Sequence, residues 1–150
     1  VNSPGWKFSE YEMKGVPLRL EIGPKDIEKD SCVIVSRDNR EKVVVALNEL
    51  EEKIPVLLEE LRGRLYQKAL ENRRNRTFDA HTLDEIIDIA NNKSGFIRAM
   101  WCGSSECEEK LKELAGITSR CIPFGEQHIG DKCVVCGKTA KNLVYWGKAY

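Results

Sequence analysis

Leu18, Leu20 and Ile22 alternate with Arg19 and Glu21, the period of two that half-buries a β-strand. Gly23-Pro24 stops this strand. Pro24 suits the start of a short helix running through Lys29, because its fixed φ is already helical and a first-turn N–H has no partner to lose. A second strand is expected at Cys32 to Ser36, a turn at Arg37 to Arg40, and a third strand over the Val-rich run Lys42 to Ala46. From Leu47 the period changes. Leu47, Leu50, Ile54, Leu57, Leu58, Leu61, Leu65 and Ala69 recur at three- and four-residue steps, the mark of an amphipathic helix. Pro55 removes a backbone donor, so the main helix is expected to begin near it, with 48–53 as an irregular turn. It should end near Arg74 to Arg76, where basic groups face the negative end of the helix dipole.

A boundary is expected at Thr77 to His81, dividing the chain into domains at 1–76 and 77–150. Thr82-Leu-Asp-Glu85 is a capping box, in which hydroxyl and carboxylate each satisfy an unpaired backbone donor. The helix it opens turns Leu83, Ile86, Ile87 and Ala90 inward. Gly95 to Trp101 reads as a strand, Ser105 to Glu108 as a second capping box ahead of Leu111, Leu114 and Ala115, Ile117 to Ile122 as another strand, and Leu143 to Trp146 as the last. The fold class expected is α/β in the broad sense, more narrowly α+β.

Length and charge narrow the function. The 150 residues carry 24 basic and 24 acidic side chains and are 41% hydrophobic, so the chain can bury a core but has no global basic field to hold nucleic acid. RNA contact must be local. The one dense basic patch is Arg62, Arg64, Lys68, Arg73, Arg74 and Arg76, read as a solvated helix face. No apolar run reaches the roughly 18–20 residues of a membrane span, and no leader is evident at Val1 to Gly5, so a cytoplasmic protein without membrane contact is expected.

Five of the six cysteines lie in the last third. Cys133-Val-Val-Cys136 has the spacing of a metal knuckle, and Cys102 and Cys107 form a second close pair between a strand end and the first turn of the next helix. Two pairs of thiolates supply the four corners of a tetrahedral zinc site, which leaves no position open for catalysis and makes the ion structural. Cys32 and Cys121 are read as core residues in strands. His128 is not needed for the set, and His81 is a boundary residue. No phosphate loop, nucleophile elbow or metal-hydrolase motif occurs, so no catalytic residues are assigned.

Three segments, Gly5-Trp-Lys-Phe8, Tyr11-Glu-Met-Lys-Gly-Val-Pro-Leu-Arg19 and Glu21-Ile-Gly-Pro-Lys-Asp26, resemble the anticodon-binding domain of prolyl-tRNA synthetase of the archaeal and eukaryotic type. Phe96 to Cys107, Thr118-Ser-Arg-Cys-Ile-Pro-Phe124, the cysteine knuckle and the closing Gly147-Lys-Ala-Tyr150 resemble that family's C-terminal zinc-binding domain. The resemblance implies a partial anticodon-binding sheet domain followed by a small α+β zinc domain. Set against that family, the chain is expected to lack the class II catalytic domain, with its proline, ATP and Mg sites, and the first strand–helix portion of the anticodon-binding domain.

The parent implied is a proline–tRNA ligase, which joins proline to tRNA(Pro) in an ATP-dependent reaction and is a homodimer through its catalytic domain; this fragment would be inactive alone. Its partners would be the tRNA(Pro) anticodon stem-loop and the catalytic domain of the same enzyme, with no DNA. Carried over by the resemblance, Glu12, Arg19, Lys25, Asp26 and Lys42 would read the guanines of the anticodon. An acid accepts from N1–H and N2–H, while bases donate to O6 and N7. Phe8 would be either a stacking platform or a core aromatic. Tyr150 would be either the terminal carboxylate directed toward the catalytic domain or a frayed end. The alternative is a free-standing zinc-stabilised module that binds RNA or docks to another domain without an enzymatic role.

Overall fold

The computed structural model describes residues 2–148, so Tyr150 lies outside the described residues. The chain divides into two compact units, Val1–Ala69 and Leu70–Tyr150.

The first unit opens with a helix that the apolar pattern does not announce, α1 (Pro4–Met13). No residue of α1 is buried, so it carries no apolar stripe. Its start signal is nevertheless present: the Ser3 hydroxyl accepts the Trp6 N–H at 3.3 Å and Pro4 occupies the first turn. There follow β1 (Leu18–Glu21), α2 (Pro24–Ile27), β2 (Ser31–Ser36) and β3 (Lys42–Ala46). The three strands form an antiparallel sheet in the order β1-β2-β3. Its register sets Leu20 beside Ile34 and Ile34 beside Val43 on one face, and Arg19 beside Val35 and Val35 beside Lys42 on the other.

A single 3-10 turn at Leu47–Glu49 leads directly into α3 (Leu50–Asn75), which contains Pro55. The expected start at Pro55 and the irregular turn over 48–53 are therefore corrected. Leu50, Ile54 and Leu57 pack against the buried Cys32, Ile34 and Val45. That apolar contact on both sides of Pro55 outweighs the one hydrogen bond which the proline forfeits. Cys32 is fully buried, as expected. The expected burial of the apolar row in β1 is corrected: Leu20, and Ile22 beyond the strand's end, are exposed, whereas Arg19 and Glu21 are partly buried because α1 lies over their side of the strand and the Arg19 guanidinium is held by Glu12 and Phe8.

In the second unit the end of α3 is followed by β4 (Thr77–Asp79), α4 (Leu83–Asn92), β5 (Phe96–Trp101), α5 (Ser105–Ala115), β6 (Ile117–Cys121) and β7 (Asn142–Lys148). The sheet runs β4-β5-β7-β6, with β4 parallel to β5 across α4 and the remaining pairs antiparallel. The Thr77 to Asp79 stretch is thus a strand at a sheet edge, too short for any periodicity to reveal. Its pairing begins with the Phe96 N–H donated to the Arg76 carbonyl at 2.8 Å. Gly95 makes that approach possible: its φ is +146°, and a Cβ there would collide with the Arg76 carbonyl.

Ile86, Ile97, Ala99, Leu111, Ile117, Val144 and Trp146 fill the core between α4, α5 and the sheet. The Thr82–Glu85 box is formed, with the Glu85 N–H on the Thr82 hydroxyl and the Thr82 N–H on the Glu85 carboxylate, both at 3.2 Å. The second expected box is not. α5 starts after Ser104, which makes no side-chain cap, and Glu108 turns instead to β6, accepting the Ser119 N–H at 3.0 Å and its hydroxyl at 2.5 Å. Cys121, expected in the core, is exposed at the end of β6. The architecture as a whole is α+β.

Candidate metal centre and nucleic-acid interface

The second unit brings its two cysteine pairs to one point. β5 delivers Cys102 immediately after Trp101, and the indole N–H of Trp101 donates to the Ser104 carbonyl at 3.1 Å, holding the loop that leads to Cys107 in the first turn of α5. The knuckle is fixed from the other side. Its Cys133 N–H bonds the Lys138 carbonyl at 2.8 Å, its Gly137 N–H the Cys133 carbonyl at 3.0 Å, and its Val134 N–H the Met100 carbonyl of β5 at 2.9 Å. Gly137 takes the left-handed φ of +70° that the tight turn requires. Val134 is itself buried in the core.

The sulfurs of Cys102, Cys107, Cys133 and Cys136 consequently all lie within 4.8 Å of one another, with Cys102 3.7 Å from both Cys107 and Cys136. A tetrahedron of thiolates about 2.3 Å from a central ion has edges of roughly 3.8 Å. These separations fit that figure and far exceed the roughly 2.05 Å of a disulfide. The electrostatics favour ionised sulfur at one corner. Burial works against a thiolate at Cys133, but the backbone N–H groups of Cys136, Val135 and Cys102 outweigh it and bring the thiol down to about 7. Burial, and then hydrogen bonding to Cys102 and Cys136, pushes the Cys107 thiol up. The cluster can hold a metal ion. His128 takes no part in it, its imidazole lying 2.8 Å from the Asp131 carboxylate.

In the first unit, four of the residues expected to read an anticodon fall around one sheet face. The cross-strand row Arg19, Val35, Lys42 puts the two cations on the same side, and Lys42 is exposed. α1 lies against Arg19. The guanidinium stacks 3.9 Å from the centre of the Phe8 ring, donates from Nη1 to Glu12 at 2.7 Å and from Nε to Glu21 at 2.9 Å. Phe8 is thus a half-buried platform already covered by one cation.

Asp26 acts locally, its Oδ2 accepting the Gly23 N–H at 2.8 Å and capping α2. Lys25 is exposed in the same turn. Two participants escaped the sequence reading. Glu21 clamps Arg19, a pairing that residues two apart on one strand could have signalled. Arg40 reaches Glu12 at 3.7 Å from the turn between β2 and β3, where only tertiary structure puts it. Ion pairs this exposed are worth about 0.2–1 kcal/mol, so they orient Arg19 more than they stabilise the unit. Nε and Nη1 of Arg19 face the carboxylates.

Comparison with known proteins covers nearly the whole chain. Residues 2–57 match the family model described as anticodon binding domain, and residues 83–150 match the one described as prolyl-tRNA synthetase, C-terminal. The proline–tRNA ligase of Clostridium novyi is 60% identical over 98% of this chain, and a proline–tRNA ligase 2 of Bacillus cereus is 56% identical over 99%. In both cases the match spans 31% of the relative, so the chain is about a third of the length of the curated relatives it matches. Among solved structures, prolyl-tRNA synthetase from Cryptosporidium parvum complexed with L-proline and AMP superposes with a TM-score of 0.90 at 40% identity, over 99% of this chain and 32% of that one. No helix among the described residues is long and apolar enough to cross a membrane. The chain belongs to the prolyl-tRNA synthetase family, as a C-terminal part made of an anticodon-binding portion and the family's C-terminal domain.

Proposed function

We propose that this chain is the tRNA-reading part of a cytoplasmic proline–tRNA ligase, and that it recognises the anticodon stem-loop of tRNA(Pro) with its first unit. The observation that carries this reading is the Arg19 cluster: two cations of one cross-strand row, a carboxylate from α1 and an aromatic ring meet on one sheet face. Guanine presents acceptors at O6 and N7 and donors at N1 and N2, so a mixed acid–base cluster reads it where either charge alone would not. In this reading Glu12, Arg19 and Lys42 meet base edges, Lys25 meets the edge or phosphate of a neighbouring nucleotide, and Phe8 with the Arg19 guanidinium offers a stacking plane. Asp26 contributes by fixing α2 as well as by its charge. We take the domain boundary at the end of α3, giving 1–76 and 77–150, although the two compact units part seven residues earlier, inside that helix at Ala69/Leu70.

The second unit binds zinc through Cys102, Cys107, Cys133 and Cys136, a closed thiolate set whose ion holds the fold. ATP, Mg and proline belong to the catalytic domain of the longer protein, which is a homodimer through that domain.

The test uses the full-length ligase. Proline activation by ATP and charging of tRNA(Pro) are measured for the parent and for Arg19→Ala, Lys42→Ala and Asp26→Asn, the last retaining an acceptor for the Gly23 N–H. Charging should fall at least about fivefold in the first two with activation unchanged, since each guanine contact is worth about 1–3 kcal/mol. Charging at the parental rate in both would remove the anticodon assignment.

A further inference from the structure

The basic stretch Arg62 to Arg76 divides in the structure. Arg62 is paired with Glu59 and Arg64 with Asp38, both in the first unit. Arg73, Arg74 and Arg76 belong to the second unit and make no ion pair among the described residues. They stand beside a cleft of about 700 Å³ whose walls include Arg73, Arg74, Phe96, Arg120, Phe124 and Tyr145. An adjoining recess shares Arg73, Phe96 and Arg120 and adds Arg76 and Lys148. Arg98, on the cleft wall, is already paired with Asp79 through two bonds of 2.6 and 2.7 Å. Arg120 is aimed by one Nη2–H donated to the Gly147 carbonyl at 2.9 Å.

Among these cations stand aromatic rings with free faces. Phe124 is fully exposed and Phe96 is 44% exposed, the latter steadied edge-on by Tyr145 with 6.4 Å between ring centres.

In a chain with no net charge, clustered arginines without counter-charges repel one another, and a bare phenylalanine is left in water at a cost. A single-stranded polynucleotide relieves both. Its phosphates neutralise guanidinium groups, and its unstacked bases cover aromatic faces, as every base has a π-face to offer. A duplex offers the phosphates but hides the faces. We infer that this cleft is a second RNA-contact surface, which takes an unpaired RNA segment with its phosphates on Arg73, Arg74 and Arg120 and a base on Phe124 or Phe96. It lies on different residues from the Arg19 cluster and goes beyond the anticodon reading.

The test is fluorescence anisotropy of the 150-residue protein with a short, labelled, single-stranded RNA of mixed sequence, over a series of salt concentrations. Every protein carries Arg19→Ala, so that binding at the anticodon cluster cannot mask the result. Arg73→Ala with Arg120→Ala should weaken binding at least tenfold and lower the slope of log affinity against log salt by about 0.7 per arginine removed. Phe124→Ala, a change at a fully exposed ring that leaves the fold intact, should weaken binding about fivefold or more with the slope unchanged. Lys110→Ala, on exposed α5 surface, is the charge control. No binding by the Arg19→Ala protein, or equal binding by the cleft variants and the control, overturns the inference. If the cleft variants leave RNA binding intact and instead lower the melting temperature of the full-length ligase, the cleft is a contact with another part of that protein and the RNA assignment is likewise overturned.

Discussion

Glu108 illustrates how a residue's neighbours redirect a local signal. Ser105 and Glu108 have capping-box spacing, yet the carboxylate serves Ser119, a residue of β6. The Ser119 hydroxyl, followed by its backbone N–H, holds the Glu108 carboxyl below its ordinary value of 4.5. A carboxyl depressed in the folded state contributes stability above its ordinary value, and loses that contribution as pH falls through the folded value. Glu108→Gln should therefore melt at a lower temperature than the parent near neutral pH, with the difference shrinking below about pH 4.5. Thermal melts of both proteins across that range check it, and a difference independent of pH would remove the charge from the argument. No reading of sequence alone could find this bond, because its partner is brought by sheet pairing. Asp26 is the contrary case: its cap on Gly23 is local, and the spacing Gly23-Pro24-Lys25-Asp26 already contained it.

At the scale of elements, legibility followed length and burial. β2, β3, α4 and β5 stand within a residue or two of their expected positions, since each has several apolar residues facing one core. α1 lacks a buried face and β4 has three residues, so neither leaves a periodic trace. α3 starts five residues ahead of Pro55, because packing on the sheet outweighs a local breaker. The Arg19 face was only half visible. Its strand residues follow from alternation, whereas the placing of α1 and Arg40 against them is tertiary. The junction of β4 and β5 makes a sharp prediction. Gly95→Ala would force either the +146° φ or the close approach to the Arg76 carbonyl to give way, costing on the order of 2–3 kcal/mol. Chemical denaturation should register that loss with an unchanged m-value, and a variant as stable as the parent would contradict the close approach.

For the molecule as a whole, the zinc reading proposed above makes the stability of the second unit turn on its four sulfurs. A structural zinc site contributes roughly 10–16 kcal/mol in small peptides, comparable with the entire stability of an ordinary domain at about 5–15 kcal/mol. The first unit has a separate core at Cys32, Ile34 and Val45. Chelation, or Cys133→Ser with Cys136→Ser, should thus abolish slow amide exchange at Ile97 and Val144 while leaving it at Ile34. Protection retained at all three would exclude a structural ion. The same arrangement has an optical consequence. Of the three tryptophans, Trp6 is exposed on α1, Trp146 is fully enclosed, and Trp101 touches Trp146 edge-on while its indole holds the loop between Cys102 and Cys107. In the zinc reading proposed above, the protein carries an intrinsic fluorophore beside its metal loop. The colour of its own emission should shift when a chelator is added, without a label and before any RNA is added.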